Sequence, residues 1–226
     1  MRARGRTMSE QITVYVPRET AAISVGAHDV AEKIATLDNV RLVRNGSWGA
    51  SWLEPLVEVV VGEQRIAYGP VTVDDVDSLV GAGFLEGGEH PLRLGPTSEI
   101  PYLIDQERWT FRRCGLIDPL SVDDYVAHRG FEGLKKAFES GPGYTLEQVK
   151  ESGLRGRGGA GFPTGIKWQT VADAEGDQKY IACNADEGDS GTFSDRILME
   201  SDPLTLIEGM VIAGFAVGAS KGYIYL

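Results

Sequence analysis

The chain has few of the residues that build metal sites and nucleophilic active sites. Its 226 residues include two cysteines and three histidines. Cys114 and Cys183 are far apart, without a C-x-x-C spacing, and neither has a partner that predicts a metal ligand or a nucleophile. His28, His90 and His128 occur in unrelated contexts, and we assign none of them a catalytic role.

Long apolar runs are also missing. The Gly/Ala-rich segment 210–219 has roughly half the length that a bilayer span requires, so we expect a buried helix there. The opening residues, MRARGRTMSEQ, lack the apolar stretch of a secretory signal, and we expect residues 1–10 to be a disordered tail. Together with the low cysteine usage, these features predict a cytoplasmic protein without direct membrane insertion.

Basic residues are too few to balance the acidic ones. There are 22 Lys and Arg against 33 Asp and Glu, which gives a formal net charge of −11. Such a charge repels a nucleic-acid backbone, and we therefore exclude nucleic acid as a partner. The apolar fraction of 42% with 24% charged residues is that of a folded protein with one large core or two modest ones.

The first part of the chain has the periodicity of a β-α-β-β-α unit. The pattern predicts strands at 11–17 and 40–44, a helix over 25–37, a hairpin of 56–62 with 64–71, and a closing helix over 73–83. This order suits a small thioredoxin-like α/β domain at 11–85. Residues 86–119 are rich in Gly, Pro and charge and predict a linker or extended arm, with a domain boundary near residue 108.

A second domain is predicted at 120–226. Ser121 can cap a helix, with Asp124 at the third position, and Thr145 with Gln148 forms a capping-box pattern. The short helix that follows Thr145 should end at Gly153, a residue suited to the left-handed conformation past a helix C-terminus.

A Gly-rich loop follows at once and carries the strongest functional signal. Its sequence is GRGGAGFPTGIKW at 156–168 and contains G-x-G-x-x-G. The context of a dinucleotide-binding fold fails, because a helical segment rather than a strand precedes the loop, and no Gly-Lys-Ser/Thr triplet indicates a Walker loop. The remaining alternatives are a flexible surface loop with a helix cap, or bare backbone that approaches a phosphate or a flat ring. The second is favoured because two cations and an aromatic residue accompany the small residues. The candidate residues of this loop are Gly156, Arg157, Gly158, Gly159, Ala160, Gly161, Phe162 and Lys167.

An acidic cluster is the second motif that indicates a function. The sequence KYIACNADEGDSGTFSDR at 179–196 predicts a short apolar strand at 180–183 that leads into Asn184, Asp186, Glu187 and Asp189. Oxygen acceptors beyond the carboxyl end of a strand are placed to bind the hydroxyls of a ribityl chain or a ribose. An acidic turn or a calcium loop are the alternatives, although the twelve-residue frame of an EF-hand is not met.

These two motifs, followed by LIEGMVIAGFAVGASKGYIYL, resemble the NADH-binding flavoprotein subunit of respiratory NADH dehydrogenase. They are similar as well to the diaphorase subunits of soluble NAD-dependent formate dehydrogenases and bidirectional hydrogenases. The resemblance covers about residues 115–226 and implies the first part of an FMN/NADH-binding α/β domain. A thioredoxin-like segment before this domain makes the chain more similar to the beta subunit of the formate dehydrogenase type.

The resemblance implies a role for each motif residue. FMN would be held by Gly156, Arg157, Gly158, Lys167, Asn184, Asp186 and Glu187, with Gly159, Ala160 and Gly161 completing the cofactor-binding stretch. Phe162 and Asp189 would face NAD(H). The chain departs from respiratory members at Asp189, Ser190 and Thr170, where they have Glu, Pro and often an aromatic residue, so nucleotide contacts there are expected to differ.

The implied activity is hydride transfer between NAD(H) and FMN, with electrons exchanged with iron-sulfur centres of a multi-subunit dehydrogenase. Implied partners are a thioredoxin-like [2Fe-2S] subunit and a catalytic subunit. The family's Cys-rich run for a [4Fe-4S] cluster is not found, and we expect the cluster only in a longer parent protein of which this chain is a truncated part. The alternative is a non-catalytic assembly or docking fragment of such a complex.

Overall fold

The computed structural model describes residues 11–226, so the tail predicted at 1–10 lies outside the described residues. The chain divides into two compact units. The first comprises residues up to Leu120 together with Glu200–Asp202, and the second comprises Ser121–Met199 and Pro203–Leu226. The domain boundaries drawn from the sequence stay a prediction.

A five-stranded sheet in the order β2-β1-β3-β4-β5 forms the first unit. Its strands are β1 Ile12–Tyr15, β2 Val40–Val43, β3 Val57–Val61, β4 Gln64–Tyr68 and β5 Arg93–Pro96. Its helices are α1 Thr20–Ser24, α2 Ala27–Ala35, α3 Val76–Gly81 and α4 Pro101–Ile104. β1 pairs in parallel with β2 and antiparallel with β3, which pairs antiparallel with β4. This topology confirms the thioredoxin-like α/β fold predicted for this part of the chain.

Buried apolar side chains explain why the sheet forms. The buried faces of β1 and β3 present valines such as Val14 and Val59, which are opposite each other in the register. α2 contributes Val30 and Ile34 to the same core. β3 and β4 are joined by a two-residue turn in which Gly62 has φ +62°, a left-handed conformation that glycine adopts without strain.

Residues 86–119, predicted as a linker or extended arm, belong to the first unit. β5 lies in this segment and pairs antiparallel with β4, with a register irregularity at Ala67 and Tyr68. Cys114 and Ile117 are buried. β5 is only four residues long and contains Gly95 and Pro96, so its sequence carries no periodic signal that would have predicted a strand.

The second unit combines helices with a small parallel sheet. Its helices are α5 Val122–Ala127, α6 Glu132–Ser140, α7 Pro142–Glu151, α8 Thr164–Asp173, α9 Ser194–Ser201 and α10 Pro203–Val217. Its strands, β6 Tyr180–Asn184 and β7 Lys221–Tyr225, pair in parallel, with Tyr180 opposite Lys221. α9 and α10 form the crossover that parallel strands require, and α10 packs on α6, α7, α8 and β6.

Two of the signals predicted at helix ends match the structure and one does not. Ser121 caps α5 by accepting a hydrogen bond from the Asp124 N–H at 3.1 Å, as predicted. Gly153 follows α7 with φ +67°, also as predicted. The capping box at Thr145 is wrong, because α7 begins at Pro142 and the Thr145 hydroxyl donates to the Gly141 carbonyl at 2.9 Å. Proline is favoured at a first helical position, and this preference explains the earlier start of α7.

A buried carboxylate fixes α10 to the helices around it. The Glu208 side chain accepts hydrogen bonds from the Tyr125 hydroxyl and from the N–H groups of Phe131 (2.8 Å) and Leu134 (2.9 Å) at the start of α6. The buried helix predicted over 210–219 is confirmed for the part within α10, where Ala213, Ala216 and Val217 are buried. None of the helices within residues 11–226 is both long enough and apolar enough to cross a bilayer.

Candidate cofactor site

The Gly-rich loop between α7 and α8 is closed at its base by backbone hydrogen bonds. The Gly156 N–H donates to the Phe162 carbonyl at 2.9 Å, and the Thr164 N–H donates to the Leu154 carbonyl at 2.8 Å. These bonds form an isolated antiparallel bridge between Arg155 and Pro163. The loop therefore has a defined base from which residues 157–162 project.

Two of the loop glycines are required by the backbone. Gly159 has φ +96° and Gly161 has φ +59°, a region that other residues enter only with strain. The loop turns sharply at these two positions.

Gly158 is explained by neither conformation nor internal packing. Its φ is not in the left-handed region, and a Cβ atom added there would meet no atom within 4 Å. Within the described chain, nothing requires glycine at this position. A missing side chain that serves no internal purpose leaves bare backbone for a group from outside the chain.

The backbone donors of the loop are available. The N–H groups from Arg157 to Phe162 donate to no acceptor within residues 11–226. Successive N–H groups in a tight turn form a concavity that binds anions such as a phosphate. The loop thus offers the donors that the sequence predicted for an anionic prosthetic group.

Positive charge and an aromatic ring lie beside these donors. Arg157 is exposed and forms no hydrogen bond or ion pair with the part of the chain that the structure describes. The Lys167 ammonium, on the first turn of α8, lies 5.8 Å from the centre of the Phe162 ring and 3.8 Å from the position of a Cβ atom on Gly156. Phe162 is 46% exposed, so part of its ring is accessible to a flat ligand. The structure therefore brings Gly156, Phe162 and Lys167 together.

The acidic loop begins where β6 ends. Asn184 is the last residue of β6, and its side-chain oxygen accepts a hydrogen bond from the Asp186 N–H at 3.2 Å. Asp186 and Asp189 are exposed, and their carboxylates form no hydrogen bond or ion pair with other described residues. These oxygens are available to accept hydrogen bonds from sugar or ribityl hydroxyls.

Glu187 differs from its acidic neighbours because it already has hydrogen-bond donors. Its carboxylate accepts hydrogen bonds from the Ser194 hydroxyl (2.9 Å) and from the N–H groups of Asp195 (3.0 Å) and Arg196 (3.1 Å) at the start of α9. Partial desolvation raises the pKa of Glu187, but these hydrogen bonds outweigh it, and the pKa lies below its ordinary value. Glu187 therefore joins the acidic loop to α9, and its predicted contact with a cofactor stays a prediction.

Arg155 is the residue that sequence reasoning missed. Its side-chain Nε donates to the Gly161 carbonyl at 2.6 Å, across the base of the loop. Arg155 and Arg157 both stand beside glycines in L-R-G-R-G, and no local pattern distinguishes an arginine that bonds within the loop from one that faces outward.

The chemistry of these donors and acceptors fits FMN. Bare N–H groups and two cations suit its phosphate, and the open position at Gly158 admits a flat ring or a phosphate close to the backbone. Within residues 11–226, no group of three or more His, Cys, Asp and Glu side chains could hold a metal ion.

Comparison with known proteins agrees with this chemistry. Residues 149–226 match the family model of the Nuo51 FMN-binding domain. The chain is 54% identical over 121 residues to the HndC subunit of the NADP-reducing hydrogenase of Solidesulfovibrio fructosivorans, covering 54% of this chain and 24% of that protein. It is 55% identical over 106 residues to one of the F-type subunits of NADH-quinone oxidoreductase of Rhizobium meliloti, covering 46% of this chain and 25% of that protein.

A third relative extends the match further along the chain. The F-type subunit of NADH-quinone oxidoreductase of Streptomyces coelicolor is 42% identical over 139 residues, covering 62% of this chain and 28% of that protein. The chain thus spans about a quarter of the length of the curated relatives it matches. The resemblance inferred from the motifs is confirmed, and with it FMN as the cofactor of the matched family.

Proposed function

We propose that this chain, in which residues 149–226 match the Nuo51 FMN-binding domain, is part of a diaphorase that transfers a hydride between NAD(H) and FMN. The single observation that carries the proposal is the backbone of residues 157–162, whose N–H groups have no acceptor among the described residues and which Gly158 leaves uncovered by a side chain. When bound, FMN accepts or donates a hydride and exchanges electrons singly with iron-sulfur centres.

The chain's own residues bind and orient the two ligands. The N–H groups of 157–162 donate to the FMN phosphate, while Arg157 and Lys167 balance its charge. Asn184 and Asp186 accept hydrogen bonds from ribityl hydroxyls. Phe162 and Asp189 face NAD(H), and Glu187 holds the acidic loop against α9. None of these residues acts as an acid or base.

The wider assignment rests on the relatives and the first unit. Two relatives are named as NADH-quinone oxidoreductase subunits and one as a subunit of an NADP-reducing hydrogenase. The thioredoxin-like fold of the first unit favours the beta subunit of a soluble formate dehydrogenase. In that setting the partners are a thioredoxin-like [2Fe-2S] subunit and a catalytic subunit, and the compartment is the cytoplasm.

A second candidate function, docking or assembly within such a complex, is favoured by the surface of the first unit. Trp52 is 59% exposed and lies edge-on to Tyr102, with ring centres 4.7 Å apart. Trp109 is 76% exposed. Exposed aromatic residues of this kind are enriched at protein interfaces. This function requires no flavin, so flavin absorbance of the purified chain separates it from the diaphorase.

The test fills the open position at Gly158. We expect Gly158→Leu to weaken FMN binding by at least about tenfold, because the added side chain occupies the space of the cofactor. We expect it to leave stability unchanged, because a Cβ atom at this position meets nothing in the described chain within 4 Å. FMN titration followed by flavin fluorescence measures the first effect and thermal denaturation measures the second.

Gly143→Leu is the matched control. Gly143 lies in α7, where an added Cβ atom also meets nothing within 4 Å. This variant should bind FMN like the unmodified chain. The proposal is contradicted if the unmodified chain binds no FMN, or if Gly158→Leu binds it as tightly as Gly143→Leu does.

A further inference from the structure

We infer that Arg155 is a positioning residue that holds the Gly-rich loop in its binding shape before FMN arrives. The inference rests on the proposed function and adds to it a residue with no assigned role. Arg155 makes its hydrogen bond within the loop, and the residues that would contact the cofactor lie beyond it.

The hydrogen bond of Arg155 spans the loop. Its Nε donates to the Gly161 carbonyl at 2.6 Å, next to the Gly156–Phe162 backbone bond that closes the base. Gly161 has φ +59°. Without a Cβ atom this residue has wide conformational freedom, so a fixed hydrogen bond to its carbonyl restricts the backbone of the loop at this position.

The same bond sets the direction of a backbone donor. The peptide between Gly161 and Phe162 is planar, so its carbonyl and its N–H point in opposite directions. Since the carbonyl is directed at Arg155, the Phe162 N–H is directed away from it. That N–H has no acceptor among residues 11–226, which leaves it available to an anionic group on the other side.

Arg157 provides the contrast. It stands two residues away, is also exposed, and forms no hydrogen bond or ion pair within the described chain. One arginine is thus engaged with the loop backbone, and the other is available to a phosphate. Preorganisation of this kind strengthens binding because the ligand does not have to order the loop itself.

The experiment compares Arg155→Met, Arg155→Lys and Arg157→Met in the full chain without FMN. Amide hydrogen exchange at Gly156 and Thr164, followed by NMR, reports closure of the loop base. We expect both Arg155 variants to raise these exchange rates about tenfold, because Met and Lys have a carbon atom and no donor at the position of Nε. Arg157→Met should leave them unchanged.

A second measurement, FMN titration, connects the loop to binding. Arg155→Met and Arg157→Met should each weaken binding about tenfold, one through loss of loop order and the other through loss of charge. If Arg155→Lys restores both the exchange rates and the FMN affinity, Arg155 acts through its charge and the inference is overturned. Unchanged exchange in Arg155→Met also overturns it.

Failure of the proposed function and failure of the inference about Arg155 can be told apart. Lack of FMN binding by the unmodified chain contradicts the proposed function, whereas the exchange rates at Gly156 and Thr164 are measured without FMN. They decide whether Arg155 orders the loop in either case.

Discussion

Individual charged side chains in this protein are often fixed by backbone groups and not by a partner of opposite charge. Glu208 accepts hydrogen bonds from N–H groups at the start of α6, Glu187 accepts them from N–H groups at the start of α9, and Arg155 donates to a carbonyl in the Gly-rich loop. Hydrogen bonds to a charged group stabilise more than neutral ones do, typically by about 1.5–3 kcal/mol. Each of these residues therefore helps to fix the position of a neighbouring helix or loop.

Glu54 is a buried carboxyl group that accepts only a few hydrogen bonds from the described residues. It accepts hydrogen bonds from the Ser47 hydroxyl (2.8 Å) and the Leu56 N–H (2.9 Å). Burial raises its pKa from 4.5 to about 7, an effect larger than the lowering by these two bonds, and Glu19 and Glu58 raise it further.

A pH-dependent stability follows from Glu54. Because its pKa is higher in the folded than in the unfolded chain, its stabilising contribution is complete below about pH 4.5 and is lost as the pH rises through about 7. The loss is roughly 3 kcal/mol, since one pKa unit corresponds to about 1.4 kcal/mol. Glu54→Gln, which keeps an oxygen to accept the Leu56 N–H, removes this dependence.

The measurement is urea denaturation of both proteins at several pH values. The difference between their free energies of unfolding should change by roughly 3 kcal/mol between about pH 4 and pH 8, with Glu54→Gln gaining relative stability as the pH rises. Parallel curves over this range would show that Glu54 has an ordinary pKa.

Among the helices and strands, α7 and α8 are the ones that position the Gly-rich loop, because this loop connects them. They approach each other closely at Gly165, which is buried on the first turn of α8. A Cβ atom there would lie 2.6 Å from the Lys150 Cα. Glycine at this position is thus required by packing, in contrast to Gly158.

Gly165→Ala should separate the two helices. The overlap with the Lys150 backbone costs about 1–3 kcal/mol of stability, more than the gain of up to about 1 kcal/mol in helix propensity. Chemical denaturation measures the change. Gly143→Ala, in the open part of α7, is the control and should be neutral or slightly stabilising; equal effects of the two substitutions would contradict the close packing at Gly165.

At the scale of the molecule, patterns that repeat along the sequence predicted the architecture. Alternation in β1 and the hairpin pattern on either side of the turn after Val61 predicted the thioredoxin-like sheet. The composition of the Gly-rich loop marked it as a candidate site, and the resemblance to the flavoprotein family predicted that it binds FMN. β5 was not predicted, because it is a strand only through its pairing with β4, and its four residues have no periodicity of their own. The hydrogen bonds of Arg155 and Glu187 were not predicted for a related reason, since they join residues six or more positions apart.

The proposed binding of FMN depends above all on the backbone of residues 157–162, whose N–H groups have no acceptor among the described residues. Amide hydrogen exchange of the whole chain with and without FMN tests this dependence most directly. If these N–H groups hold the phosphate, FMN slows their exchange more than that of any other exposed segment. Protection elsewhere, with exchange at 157–162 unchanged, would contradict this mode of binding.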